Sequence, residues 1–164
     1  RRIRMAGCRW HRLTRASGSG LTGLMTPLQE RIDALIEELS VMEDPQERFG
    51  YLIDAARERP PLPDDLKTEP FRIQGCQSML WLAPSFHDGR CHFAVDSDAL
   101  ITKGVAGLLA ELYSDAPPTE IVAHEPDFLA EVGITQHLSP NRRNGLSNVW
   151  KRIKSFAEAC EDEG

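Results

Sequence analysis

No Cys-x-x-Cys pair occurs in this chain of 164 residues, no long apolar run, and only 7% of the residues are aromatic. Each shortage excludes something. A thioredoxin-type dithiol needs a resolving cysteine beside the nucleophile, and a zinc ribbon needs paired cysteines. A membrane-spanning helix needs about 20 consecutive apolar residues, and no stretch approaches that. The four cysteines, Cys8, Cys76, Cys91 and Cys160, are irregularly spaced, and a chain of this length closes a core without disulfide staples. With no secretory pattern visible, the expectation is free thiols in a reducing cytoplasm.

Acid is missing from the first 24 residues, which carry six arginines; the remaining 13 basic residues face all 25 acidic ones, a balance of −12. An acidic body lacks the basic face that nucleic acid requires. The leader has no apolar period. An organellar transit peptide, a basic arm for an acidic surface, and a disordered extension upstream of a start at Met25 all fit it, and the last is the expectation. The organisation expected is therefore a disordered basic extension over residues 1–24, one domain over 25–160, and an acidic tail over 161–164.

Within the domain the punctuation is clear. Thr26-Pro27 opens a helix with cap, first-turn proline and Gln29 for a capping box, and Leu28, Ile32, Leu35, Ile36 and Leu39 form its stripe. Asp44-Pro45 opens a second, with Phe49, Leu52, Ile53 and Ala56 on one face, ending before Pro60-Pro61-Leu62-Pro63. Phe71 to Ile73 reads as a short strand. Met79–Phe86 and Arg90–Val95 read as a hairpin turned at Asp88-Gly89, with Cys91, Phe93 and Val95 inward. Ser97 is placed to cap the next helix, with Asp98 in its first turn and Leu100, Ile101, Val105, Leu108, Leu109 and Leu112 on its apolar face. Gly104 and Gly107 inside it predict close packing against the sheet or a loop. Short helices follow from Thr119 and over Phe128 to Val132. Ser139-Pro140 opens the last helix, whose stripe ends at Cys160. Helices flanking a small antiparallel sheet of about three strands make an α+β domain.

The chemistry concentrates in Arg72-Ile73-Gln74-Gly75-Cys76-Gln77-Ser78. Gly75 permits a tight loop, and the apolar run Met79-Leu80-Trp81-Leu82 anchors it as a strand. A thiol on such a tip suits reactive sulfur chemistry, whereas a buried thiol is inert. Cys76, His87, Cys91 and His92 do not fall into a zinc spacing, so no metal is expected. A cysteine hydrolase with His87, His124 or His137 as base stays open, as does a binding module that performs no chemistry.

Ile73-Gln74-Gly75-Cys76-Gln77-Ser78, Trp81, Asp96-Ser97-Asp98, Lys103-Gly104, Thr135-Gln136-His137-Leu138-Ser139-Pro140, Arg142 and Gly145-Leu146 together resemble the SufE/CsdE family of sulfur acceptors. The resemblance runs in order from Leu28 to Ala159. It implies a SufE/IscU-like fold and a persulfide carried on Cys76. The sulfur would come from a cysteine desulfurase whose pyridoxal phosphate is the partner's own cofactor, and would pass to a SufBCD-type scaffold. It also implies a loop of Gln74, Gly75, Gln77 and Ser78 around the thiol, and partner contacts at Asp98, Lys103, His137 and Arg142. IscU-type scaffolds use three cysteines, and only Cys76 stands in a motif here. Ala55-Ala56-Arg57 departs from the commoner Glu-Leu-Gly, and Lys151 to Gly164 adds a charged tail. A non-catalytic regulator of a desulfurase is the alternative. The apolar flanks of the motif predict a loop that shelters Cys76 and swings out on docking, with Gly75 as hinge.

Overall fold

Two helix starts carry the N-terminal third. The computed structural model describes residues 26–163, so the basic leader, the start at Met25 and Cys8 lie outside the described residues. Helix α1 spans Pro27–Ser40 and α2 spans Pro45–Glu58. Thr26 caps α1 by accepting from the Gln29 amide, and Asp44 caps α2 by accepting from Gln46. The capping box at α1 is half made, because the Gln29 amide side chain turns forward to Asp33 instead of back to the cap. Leu28, Ile32, Leu35 and Leu39 of α1 are buried, as are Leu52 and Ala56 of α2.

The proline connector descends through two single 3₁₀ turns, Asp64–Leu66 and Glu69–Phe71, with Leu62 buried. Here the structure differs from expectation. Phe71 to Ile73 is not a strand; Pro70 sits inside a 3₁₀ turn, and one isolated bridge, Arg72 to Trp81, is what remains of a third strand. The described sheet has two antiparallel strands, β1 (Leu80–His87) and β2 (Arg90–Ser97), registered from Leu80 opposite Ser97 to His87 opposite Arg90. Asp88 and Gly89 both take positive φ, 56° and 73°, which is the twist a two-residue hairpin needs. Cys91, Phe93 and Val95 point inward as the alternation demands.

The centre of the molecule is α3 (Leu100–Tyr113), in which every residue from Lys103 to Ala110 is buried. It packs against β2, α2, α1 and the long last helix. It begins later than the sequence suggests. Its cap position is Ala99, Asp98 stands before the first turn, and Leu100 is exposed. The glycines of α3 meet α2 and its end, not the sheet: a Cβ on Gly104 would lie 2.7 Å from the Leu52 carbonyl oxygen, and one on Gly107 would lie 2.5 Å from Nε of Arg59. Helices α4 (Pro118–Ala123) and α5 (Phe128–Glu131) are short. Helix α6 runs Pro140–Glu163 and opens with the Ser139 hydroxyl accepting from the Arg142 amide. Its buried stripe is Gly145, Val149, Ile153, Ala157 and Cys160, and Glu161 to Glu163 continue it, exposed.

Candidate functional site: a thiol loop seated on a helix

The loop that carries Cys76 is closed at both ends by backbone contacts. At its start the Ile73 amide donates to the Leu80 carbonyl at 2.8 Å, and Ile73 itself is buried. At its exit Asp98 holds Met79 twice: the Met79 amide donates to the Asp98 carboxylate at 3.0 Å, and the Asp98 amide donates to the Met79 carbonyl at 3.2 Å. The Ser97 hydroxyl adds a bond of 2.7 Å to the same carbonyl. That accompanies the late helix start: Asp98 serves the loop, and the Ser97 hydroxyl bridges loop and helix, donating to Met79 and accepting from the Ala99 amide at 3.3 Å.

Helix α6 supplies the floor. Cys76 is half-buried, and its sulfur lies directly over Gly145, where a Cβ would stand 2.9 Å from Sγ. No side chain fits between them, so Gly145 is the seat of the thiol. On either side of that seat along α6 the loop is tied down. Asn144 Nδ2 donates to the Gly75 carbonyl at 3.0 Å and Asn148 Nδ2 to the Gln74 carbonyl at 2.8 Å. One turn further on, Arg152 donates to the Pro70 carbonyl at 3.0 Å. Asn144, Asn148 and Arg152 fall at i, i+4 and i+8, which is one face of a helix. Gly75 takes φ +80°, and a Cβ there would meet the Asn148 amide at 2.7 Å. Its glycine is thus required by conformation, and a side chain there would also push the Asn148 amide aside.

The residues expected at the site are placed as follows. Gln74, Gly75 and Gln77 are exposed and Ser78 is half-buried, all in the loop. Asp98 anchors the loop exit as described. His137 is exposed in the 3₁₀ turn Thr135–His137. Arg142 reaches across to the Thr102 hydroxyl at 3.1 Å. It lines a shallow, open apolar groove with Leu80, Ile101, Val105, Leu138 and Leu146, the last of these one residue along α6 from the thiol's seat. Lys103 is turned inward instead. Its ammonium pairs with the Asp96 carboxylate at 3.2 Å and donates to the Arg59 carbonyl at 3.3 Å, at the start of the proline connector.

Asp96 is the hub of that buried group, pairing also with Lys67 at 3.1 Å and accepting from the Leu62 amide at 3.0 Å. Burial alone would push its carboxyl up. Hydrogen bonds from Lys67, the Leu62 and Ser97 amides and Lys103 outweigh that and hold it below the usual aspartate range. The other described thiols differ from Cys76. Cys91 has no exposure, and burial, with Cys160 beside it, pushes its thiol up to about 12. Burial raises Cys160 as well. Both are poor nucleophiles.

Among the described histidines, no hydrogen bond to Cys76 is made. His87 and His92 stack on each other at the hairpin end, 3.9 Å apart, and His124 Nδ1 contacts the Glu120 carbonyl. Among the described residues no three His, Cys, Asp or Glu side chains converge as a metal site would need. Sequence reasoning missed Asn144, Asn148 and Arg152. Their four-residue spacing was visible, but a polar row on a helix reads as a solvated face unless a partner loop is known.

The chain is similar to known proteins in sequence and in fold. The family described as "SufE: Fe-S metabolism associated domain" matches residues 33–157. The chain is 31% identical over 146 residues to SufE-like protein 1, chloroplastic/mitochondrial, of Arabidopsis thaliana, covering 87% of this chain and 39% of that one. It therefore spans about two fifths of that relative's length. An uncharacterized SufE-like protein of Synechocystis is 30% identical over 134 residues, with 82% of this chain and 84% of the other covered. One of Rhizobium meliloti is 30% identical over 132 residues, with 77% and 94% covered. The solution structure of a hypothetical protein from Thermus thermophilus has the same fold, with a TM-score of 0.68 at 20% identity over 85% of this chain and 99% of that one.

Proposed function

The chain belongs to the SufE family, whose domain is associated with iron–sulfur metabolism, and on that premise we propose that Cys76 is a sulfur carrier. The thiol accepts sulfur from a persulfide on a cysteine desulfurase. The observation that supports the reading best is the contrast between thiols: Cys76 stands on a loop tip over Gly145, while Cys91 and Cys160 are sealed in the core.

The step is a thiol–disulfide exchange in kind. The Cys76 thiolate attacks the outer sulfur of the partner's Cys–S–SH. A bond from Cys76 Sγ to that sulfur forms, the partner's sulfur–sulfur bond breaks, and the departing thiolate takes up a proton. No net oxidation occurs, so the carrier requires no cofactor or metal; pyridoxal phosphate belongs to the desulfurase. The carried sulfur then passes to a SufBCD-type cluster scaffold. Asp98 serves by fixing the loop exit, while exposed His137 and half-buried Arg142 stand where a docking partner reaches them. Lys103 serves from within, by tying α3 to the proline connector. A cytoplasmic location is part of the proposal. None of the described helices is long and apolar enough to cross a membrane.

Shelter is part of the same reading. A persulfide seated between the loop and α6 is shielded from oxidants, and docking must lift it out. The test is incubation with a desulfurase and radiolabelled cysteine. Wild type is expected to retain label that thiol reductants release, and Cys76→Ser to retain none. A protein that accelerates the desulfurase yet never holds label would instead be a regulator.

A further inference from the structure

The segment from Gln74 to Ser78 is fixed only at its ends, at Ile73 and Met79, apart from the two side-chain amides of α6. Apart from the tight turn that the segment itself makes at Gln74-Gly75, no other hydrogen bond reaches it among the described residues. We propose that Asn144 and Asn148 are positioning residues, an amide latch that holds the loop down over Gly145 and whose release exposes Cys76. That this release admits a persulfide-bearing partner rests on the sulfur-carrier reading; the latch itself does not.

Three features carry the inference. The amides grip successive carbonyls, those of Gln74 and Gly75, immediately before the thiol, so letting go of them frees the segment that must move. The bonds are of the right strength. Each joins neutral groups at an exposed surface, where water replaces either partner on opening, so each holds the closed state by a factor of only a few and the pair by roughly tenfold or somewhat more. A docking partner that favours the open loop by more than that reverses the balance. Finally, the upstream tie is of another kind. Arg152 holds the Pro70 carbonyl with a charge-assisted bond, and buried Ile73 is locked to Leu80, so motion is confined to the residues the amides hold. Gly75 is part of the same device, since a side chain there would displace the Asn148 amide.

The experiment measures labelling of Cys76 in the full chain by an aromatic disulfide that reacts at low as well as neutral pH, read peptide by peptide. The Asn144→Ala/Asn148→Ala variant is expected to label Cys76 about ten times faster than wild type, with Cys91 and Cys160 unchanged. Asn148→Asp keeps the size but presents a carboxylate to a carbonyl. Its excess rate at pH 7 is expected to vanish as the pH falls through about 4, where the protonated carboxyl donates again. Labelling of Cys76 within about a factor of two of wild type in the double variant overturns the latch. So does equal acceleration of Cys91 and Cys160, which would signify general loosening. Should the double variant not fold, the pH dependence of Asn148→Asp decides alone, and its absence overturns the proposal. No sulfur donor is involved, so a protein that takes up no sulfur but shows these rates loses the carrier reading and keeps the latch.

Discussion

At Cys76 and its neighbours single atoms decide the chemistry. Cys76→Ser is expected to abolish sulfur uptake while leaving the melting temperature unchanged, because a half-exposed hydroxyl finds water. Cys91→Ser is expected to keep uptake but lose about 1–3 kcal/mol in denaturant unfolding, since its hydroxyl would be sealed from water in an apolar core. Gly75→Val puts a β-branched side chain where the loop needs φ of +80°, which stiffens and misdirects the hinge, so sulfur transfer is expected to slow more than docking weakens. Rates at saturating and limiting partner concentration would separate the two. Cys91 also predicts a pH response. Its thiol is raised from 9.0 to about 12 in the fold, so between those values the folded state binds more protons than the unfolded one. The contribution to stability is full below pH 9 and is lost as the pH rises towards 12; melts across that window would show a shallower decline for Cys91→Ala. The motif around Cys76 was legible from the sequence because glycine and thiol stand side by side before a strand. Its seat was not, because Gly145 is far away in the chain and a glycine in a helix does not say what lies above it.

At the scale of elements, contact between helices decides what a glycine is for. Gly104 and Gly50 both sit inside helices, yet a Cβ on Gly104 would press on the Leu52 carbonyl at 2.7 Å, and one on Gly50 would meet nothing within 4 Å. Gly104→Ala is therefore expected to destabilise by about 1–3 kcal/mol by forcing α2 from α3. Gly50→Ala is expected to stabilise by roughly 0.5–1 kcal/mol through helix propensity alone. Chemical denaturation of both variants checks the contrast. Asp96→Ala strands the buried Lys103 ammonium and frees Lys67 and the Leu62 amide, so a loss of about 3 kcal/mol is expected. Because its carboxyl is held low in the fold, the stability it contributes is present above the ordinary aspartate value near 3.8 and is lost as the pH falls through the lower folded value. The hairpin was readable from alternation and Asp-Gly, and the helix openings from Thr-Pro, Asp-Pro and Ser-Pro. The third strand was not, because three residues with β character masked the effect of Pro70 beside them. Nor was the role of Ser97 and Asp98, because such side chains have two possible partners nearby, a helix start and a loop; here Asp98 went to the loop and Ser97 to both.

For the whole molecule, the order of helices around a small sheet followed from periodicity, whereas the central position of α3 did not. Nothing in an apolar face says how many neighbours will cover it. Removing Arg1 to Gly23, which carries no apolar period, is expected to leave the melting temperature and sulfur acceptance unchanged. Loss of either in the shortened chain would show that the leader belongs to the working protein. The central claim is that one thiol of the four carries sulfur, and peptide-resolved mass measurement tests it most directly. After brief exposure to a desulfurase and cysteine, followed by alkylation, one added sulfur atom is predicted on the Cys76 peptide and none on those of Cys8, Cys91 or Cys160. Added sulfur on any other cysteine, with Cys76 unmodified, would contradict it.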